Sequence, residues 1–261
     1  MATGLGRTGI FARLKIPPVM KALCIGVAAL FLFSFTSLST NSPMPAASLP
    51  HASTRTTVSL ADSARFDLLY DNLDLQGLSL SRLAYHKAVL GFISLQMTGM
   101  IRNTDVLSIV DFSLPSNQKR LFIIDMLNGR LLFNTFVAHG RNSGTVMATR
   151  FSNRTNSYMS SLGFYLTGDP FFGSHGYSLQ LQGLEQGWND RAFSRRIIIH
   201  SADYVSEEHI QQSGFLGRSE GCPAIPETLN TPIIDEIKGG SCLFLYAPDK
   251  RYSKRGVHFA S

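Results

Sequence analysis

The dipeptide Asn128-Gly129 stands between two apolar runs, Leu121-Phe122-Ile123-Ile124-Asp125 and residues 131–137. Asparagine before glycine readily takes the positive φ angles of a type I′ turn, so the pair predicts a β-hairpin, with room for a loop longer than two residues. Further short apolar runs lie at 106–112, 163–166, 178–181, 196–200 and 242–247. Gly, Ser, Asn and Pro separate them and leave little space for long helices, so the predicted class is mainly β, a sandwich or small barrel.

Ahead of the strands the spacing changes. Phe66, Leu68, Leu69, Tyr70, Leu73 and Leu75, and then Leu83, Ala84 and Ala88 before Phe92, Ile93 and Leu95, recur at helical intervals, which predicts two or so helices packed on the domain. His86 falls among them as a surface or packing histidine. The first residues have a third character. Arg7, Arg13, Lys15 and Lys21 precede any acidic residue, an apolar run covers 22–35, and a Ser/Thr/Asn/Pro-rich stretch covers 37–57. This is the pattern of a secretory signal, with an uncleaved N-terminal anchor as the alternative. The expected organisation is a signal peptide or membrane anchor at 1–47, a linker at 48–58, a helical segment at 59–104 and a catalytic domain at 105–261, with the folded part exported to the periplasm or cell envelope. Cys24 belongs to the leader. The net charge of +6 owes four of its 24 basic residues to that leader, leaving 20 basic against 18 acidic side chains afterwards. With no basic-aromatic pattern to track phosphates, nucleic-acid binding is not expected.

Two residues carry the chemistry. The run Ile197-Ile198-Ile199 delivers His200, and 22 positions later Ser219-Glu220-Gly221-Cys222-Pro223 presents a cysteine in a small-residue loop. The attacking species of a cysteine is its thiolate, and a nearby imidazole can take the proton; pairing with His200 could raise the thiolate fraction at pH 7 by up to about thirtyfold. Gly221 permits close backbone approach to a substrate carbonyl, and Pro223 biases Cys222 away from the helical region. A Cys222–Cys242 disulfide is the competing reading, disfavoured because Cys242 lies in the apolar run Cys242-Leu243-Phe244-Leu245-Tyr246.

The loops between strands are rich in small polar residues suited to an extended polar ligand, although ordinary turn chemistry accounts for any single one. His139, Ser152, Asn153, Ser161 and Tyr165, with Ser219 and Arg218, are the candidate substrate-binding residues. A metallopeptidase could draw on His139, His175, His200 and Asp203, but no two of these have a compact helical metal spacing. Neither metal nor cofactor is expected.

Ile199-His200-Ser201 with Ser219-Glu220-Gly221-Cys222 resembles the signature of the L,D-transpeptidase catalytic domain of bacterial cell-wall enzymes. Val110-Asp111-Phe112-Ser113, Val137-Ala138-His139-Gly140, Asn142-Ser143-Gly144, Phe151-Ser152-Asn153, residues 160–165, Gly183-Leu184-Glu185 and Gly217-Arg218 extend the resemblance, in particular to the murein L,D-transpeptidase branch. It implies a β-rich catalytic domain acting on peptidoglycan tetrapeptide stems: a thioester forms on the cysteine, D-alanine leaves, and the acyl group passes to an amine or, in an L,D-carboxypeptidase, to water. By the same resemblance Cys222 is the nucleophile, His200 the base, Ser201 orients the imidazole through its backbone carbonyl, the N–H groups of Gly221 and Cys222 face the oxyanion, and Ser219 shapes the loop. Two departures stand out: Glu220 where many members have histidine or lysine, and Pro223-Ala224 where they have a branched residue and arginine. Arg218 is the candidate substitute for that arginine. A non-catalytic wall-binding protein is a further alternative.

Overall fold

The computed structural model describes residues 60–254; the basic leader, the apolar run with Cys24 and the linker lie outside them. Two helices come first, α1 (Leu60–Asn72) and α2 (Arg82–Met97). Ser81 caps α2, its Oγ accepting from the Ala84 N–H at 3.3 Å, and the helix turns Ala84, Tyr85, Ala88, Val89, Phe92 and Leu95 inward. Gly91 lies directly over the Phe164 ring, so no side chain fits there. Arg82 contacts Asp67 and Asp71, and His86 meets Asp67 at 2.7 Å, tying α2 to α1. Among the described residues no helix is long and apolar enough to cross a membrane.

The remainder is one mixed sheet of eight strands: β1 (Val106–Asp111), β2 (Leu121–Asp125), β3 (Arg130–Thr135), β4 (Gly163–Gly173), β5 (Gly176–Gly183), β6 (Ile198–Ser201), β7 (Ala224–Ile225) and β8 (Cys242–Tyr246), in the order β3-β2-β1-β8-β4-β5-β6-β7. Strands β1, β2 and β8 are buried at every position, which is why they read as mostly apolar runs and not as alternations. Short helices α3 (Glu207–Ser213) and α4 (Asn230–Ile237) fill the connections after β6 and β7, and α5 (Lys250–Ser253) follows β8.

One expectation is narrowed and one corrected. The β2–β3 connection is the longer loop, 126–129, with Gly129 at φ +64° and the Asp125 carboxylate accepting from the Asn128 N–H at 2.8 Å. Strand β4 continues seven residues beyond the predicted end at Leu166, because the sheet absorbs Gly168-Asp169-Pro170 at a register break between Thr167 and Pro170. This extension carries the β4–β5 hairpin, and His175 at its tip, out over β6. Cys222 and Cys242 are both free, with Cys242 buried in β8.

The sheet nearly closes into a barrel. The chain leaving β3 passes back beside β7, where Ala138 bridges Ala224 and Gly140 bridges Ser219. The seam between the two ends of the sheet therefore runs alongside the loop that carries Cys222.

Candidate active site

The cysteine loop is shaped by polar side chains. Ser219 Oγ donates to the Cys222 carbonyl at 2.6 Å and accepts from the Gly221 N–H at 3.0 Å, closing a tight turn. Gly221 sits at φ +130°, and a Cβ there would meet the Met159 carbonyl at 2.8 Å, so both conformation and space require glycine. Ser160 Oγ joins the two sides of the seam, accepting from the Gly140 N–H at 3.0 Å and donating to the Gly221 carbonyl at 3.1 Å. Gly221 thus acts through its conformation: its N–H is committed to Ser219 and is not a free oxyanion donor, which corrects the sequence expectation.

Parallel pairing of β6 with β7 sets His200 opposite Ala224. Cys222, two residues before Ala224, therefore meets the β6 backbone two residues before His200, and the Ile198 N–H points at Cys222 Sγ at 3.5 Å. The thiol in turn points at the Arg196 carbonyl, 3.7 Å away, which Arg196 presents from a left-handed backbone conformation at φ +55°. His200 is buried, and its Nδ1–H donates to the Ser201 carbonyl at 2.8 Å, so in the neutral ring Nε2 carries the lone pair. The His175 ring lies against it, centroids 4.4 Å apart. Burial pushes the Cys222 thiol up, opposed by the Ile198 N–H and the Arg195 charge, and burial pushes His200 down. Burial thus works against the charged form of each group and against the thiolate that pairing with His200 would favour.

Both residues line a cleft of about 1250 Å³, walled by the β4–β5 hairpin, the turn before β6 and the cysteine loop. Phe171, His175, Tyr158 and the exposed Phe193 contribute apolar faces, and Arg141, Arg196 and Arg218 stand at its mouth. Of the candidate substrate-binding residues, Ser219 and Arg218 line this cleft. The others do not. His139 has no exposed surface, its Nδ1 accepting from Arg120 at 2.8 Å and its Nε2–H donating to the Gly144 carbonyl at 3.2 Å; it braces the seam from inside. Ser161 and Tyr165 are buried and bonded to each other at 2.7 Å. Ser152 and Asn153 open onto a separate depression of about 290 Å³ beside Trp188 and Arg251, and Asn153 Nδ2 is held by Asp190 at 2.8 Å. Among the described residues no group of three or more His, Cys, Asp and Glu is placed to hold a metal ion.

Three residues that sequence reasoning passed over belong to this region. Arg120 is wholly buried and donates to the Val137 and Leu114 carbonyls as well as to His139. Arg195, half-buried, lies behind the cysteine loop. Ser160 is the seam hydroxyl already described. None has a periodic or spacing signal; each is legible only once distant loops are adjacent.

The sequence model described as L,D-transpeptidase catalytic domain matches residues 76–246 of the chain. The chain belongs to the L,D-transpeptidase catalytic-domain family. No curated protein matches it. Solved structures similar to it are remote: an L,D-transpeptidase from Mycobacterium smegmatis is 12% identical, with 55% of this chain and 59% of that one covered and a TM-score of 0.34. An Enterococcus faecium L,D-transpeptidase mutant is 11% identical over 54% and 50%, TM-score 0.34. The helical cell shape determining protein Pgp2 from Campylobacter jejuni is 13% identical over 56% and 49%, TM-score 0.36. The chain thus spans between about half and three-fifths of the length of these relatives. As an L,D-transpeptidase-family domain it departs from the common motif at Ala224, and the fold supplies a reason. Ala224 has no exposed surface and packs with Ala138, Val205 and Leu216 in the closing seam, where an arginine would not fit. Glu220, the other departure, is exposed and pairs with Arg141 at 3.5 Å.

Proposed function

We propose that the protein is an exported peptidoglycan L,D-transpeptidase working through a Cys222 thioester on tetrapeptide stems. The observation that carries the reading is the placement of Cys222 and His200 in one cleft wall, with His200 Nδ1 fixed to the Ser201 carbonyl and Nε2 left as the basic nitrogen. Family membership supports the same chemistry.

In the first half-reaction Nε2 takes the thiol proton as Sγ attacks the carbonyl carbon of the third stem residue. The Cys222 N–H faces the oxyanion that forms. Collapse breaks the C–N bond, the Nε2 proton goes to the departing amine, D-alanine leaves, and the acyl group remains as a thioester. An amine of a second stem then attacks, giving up its proton through His200, and Cys222 is released as thiol. Burial disfavours a standing thiolate–imidazolium pair, which suits His200 to the part of a general base at the moment of attack. Arg141, Arg196 and Arg218 at the cleft mouth suit a stem peptide that carries several carboxylates.

Incubation of the protein with tetrapeptide muropeptides, read by mass spectrometry, tests the reading. Cross-linked dimers with loss of D-alanine are expected, together with a carbapenem adduct mapping to Cys222. Tripeptide alone would assign water as the acceptor and an L,D-carboxypeptidase; neither product from folded protein would overturn the assignment in favour of wall binding without catalysis.

A further inference from the structure

Arg195 is a half-buried cation in the cleft wall that, among the described residues, no carboxylate answers. Its four terminal N–H groups are taken by neutral oxygens: Nη1 donates to the Ser152 carbonyl at 2.9 Å and to Ser161 Oγ at 3.2 Å, and Nη2 donates to the Met159 carbonyl at 2.6 Å and to Ser157 Oγ at 3.3 Å. Among the described residues no carboxylate forms an ion pair with it. A guanidinium stays charged in any protein environment, and burying one away from an anion is unfavourable. The same group reaches under the cysteine loop, Nη2 lying 3.3 Å from where a Cβ on Gly221 would stand.

With both Nη groups occupied, Arg195 has no pair of free donors for a bidentate grip on a substrate carboxylate. What remains is the charge itself, held by four hydrogen bonds beneath the loop that carries the sulfur at which negative charge develops in the proposed reaction. We propose that Arg195 is a positioning residue for the thiol chemistry, a fixed positive charge beneath the Cys222 loop that favours the thiolate and the oxyanion formed from it over the neutral thiol. The inference rests on Cys222 being the nucleophile. The Ile198 N–H faces the sulfur, and the other titratable groups of the same cleft are His200 from β6, His175 from the β4–β5 tip against it, Tyr204 from the turn after β6, and Glu220 from the cysteine's own loop. Arg141, Arg196 and Arg218 are exposed at the mouth, where solvent weakens their reach. Arg195 is the cation held inside.

The test is the pH profile of iodoacetamide alkylation at Cys222, followed by peptide mapping on the full chain, which needs no peptidoglycan substrate. Arg195→Met removes the charge at similar size and is expected to move the midpoint upward by about one pH unit. Arg195→Lys keeps the charge but loses the four-acceptor fork, and should hold the midpoint near that of the unsubstituted protein while lowering its melting temperature. An unmoved midpoint in Arg195→Met overturns the inference. So does an equal rise in Arg195→Met and Arg195→Lys, since the brace and not the charge would then matter. Where Arg195→Met fails to fold, Arg195→Gln replaces it with the same two outcomes. A Cys222 that resists alkylation in the unsubstituted protein until it unfolds overturns the nucleophile reading itself, a failure visible without any substitution at Arg195.

Discussion

In the middle of the sheet β8 pairs with β1 over five registered positions and with β4 over four, and Leu243, Phe244 and Leu245 are buried there among apolar neighbours. At the seam, Ala138 with Ala224 and Gly140 with Ser219 are single bridges, and the join is completed by Arg120, His139, Ser160 and Ser219. The centre is held by area removed from water and by a regular ladder; the seam is held by a few directional bonds in a buried setting. Directional bonds fix atoms to within a few tenths of an ångström, which non-directional burial does not. The proposed chemistry sits where that precision is available.

Substitutions should separate the two regions. Cys222→Ala is expected to abolish acyl transfer, about a thousandfold or more, while leaving the melting temperature within a few degrees, because the thiol contributes little to packing. Phe244→Ala should do the reverse, costing about 3–5 kcal/mol in denaturant unfolding by removing a fully buried ring from the Phe164 stack. If Phe244→Ala proved silent in stability, the distinction between centre and seam would collapse.

Within the seam, Arg120→Met should cost about 2–4 kcal/mol, since it strands the Val137 and Leu114 carbonyls and His139 Nδ1 without donors. An unfolding free energy close to that of the unsubstituted protein would show that water repairs the network. Acid should weaken the same region. Burial and the Arg120 charge depress His139 to about 4, so the folded state binds this proton less readily than the unfolded chain. Its contribution is intact above about pH 6.5 and is lost as pH falls from there toward 4, amounting to about 3 kcal/mol. His200, depressed by its own burial, acts in the same direction. His139→Gln should flatten the slope of stability against pH in that interval. Smallest of all, Ser160→Ala should cost about 1–2 kcal/mol, leaving the Gly140 N–H and Gly221 carbonyl without their shared hydroxyl, and should slow acyl transfer more than it lowers stability.

What could be read from the sequence follows the same division. Strands β1, β2 and β8 were legible because strands buried on both faces are apolar at most positions, and α2 because Ala84, Ala88 and Leu95 repeat at helical intervals. The two residues of β7 were not, because Pro223-Ala224-Ile225 carries no pattern and its pairing depends on β6 being already in place. His139 misled for a physical reason: Ala138-His139-Gly140 has the composition of a solvated loop, yet seam closure buries it and Arg120 supplies its hydrogen bond. Cys222 and His200 stood out by residue type. Their adjacency, however, comes from the parallel register of His200 with Ala224, which no spacing encodes. Arg195 gave no signal of its own, because the partners that fix it, Ser152, Ser157, Met159 and Ser161, come from a loop far away in the sequence.

Cys242 stands apart from all of this, a thiol with no exposed surface in the strand that pairs with both β1 and β4, its ionisation further suppressed by burial. Between residues 60 and 254 the native protein therefore offers a thiol reagent Cys222 alone, and exposes a second sulfur only when β8 separates from its neighbours. Labelling at Cys242 is a clock for the opening of the sheet, running in the same molecule whose other sulfur reports on the cleft.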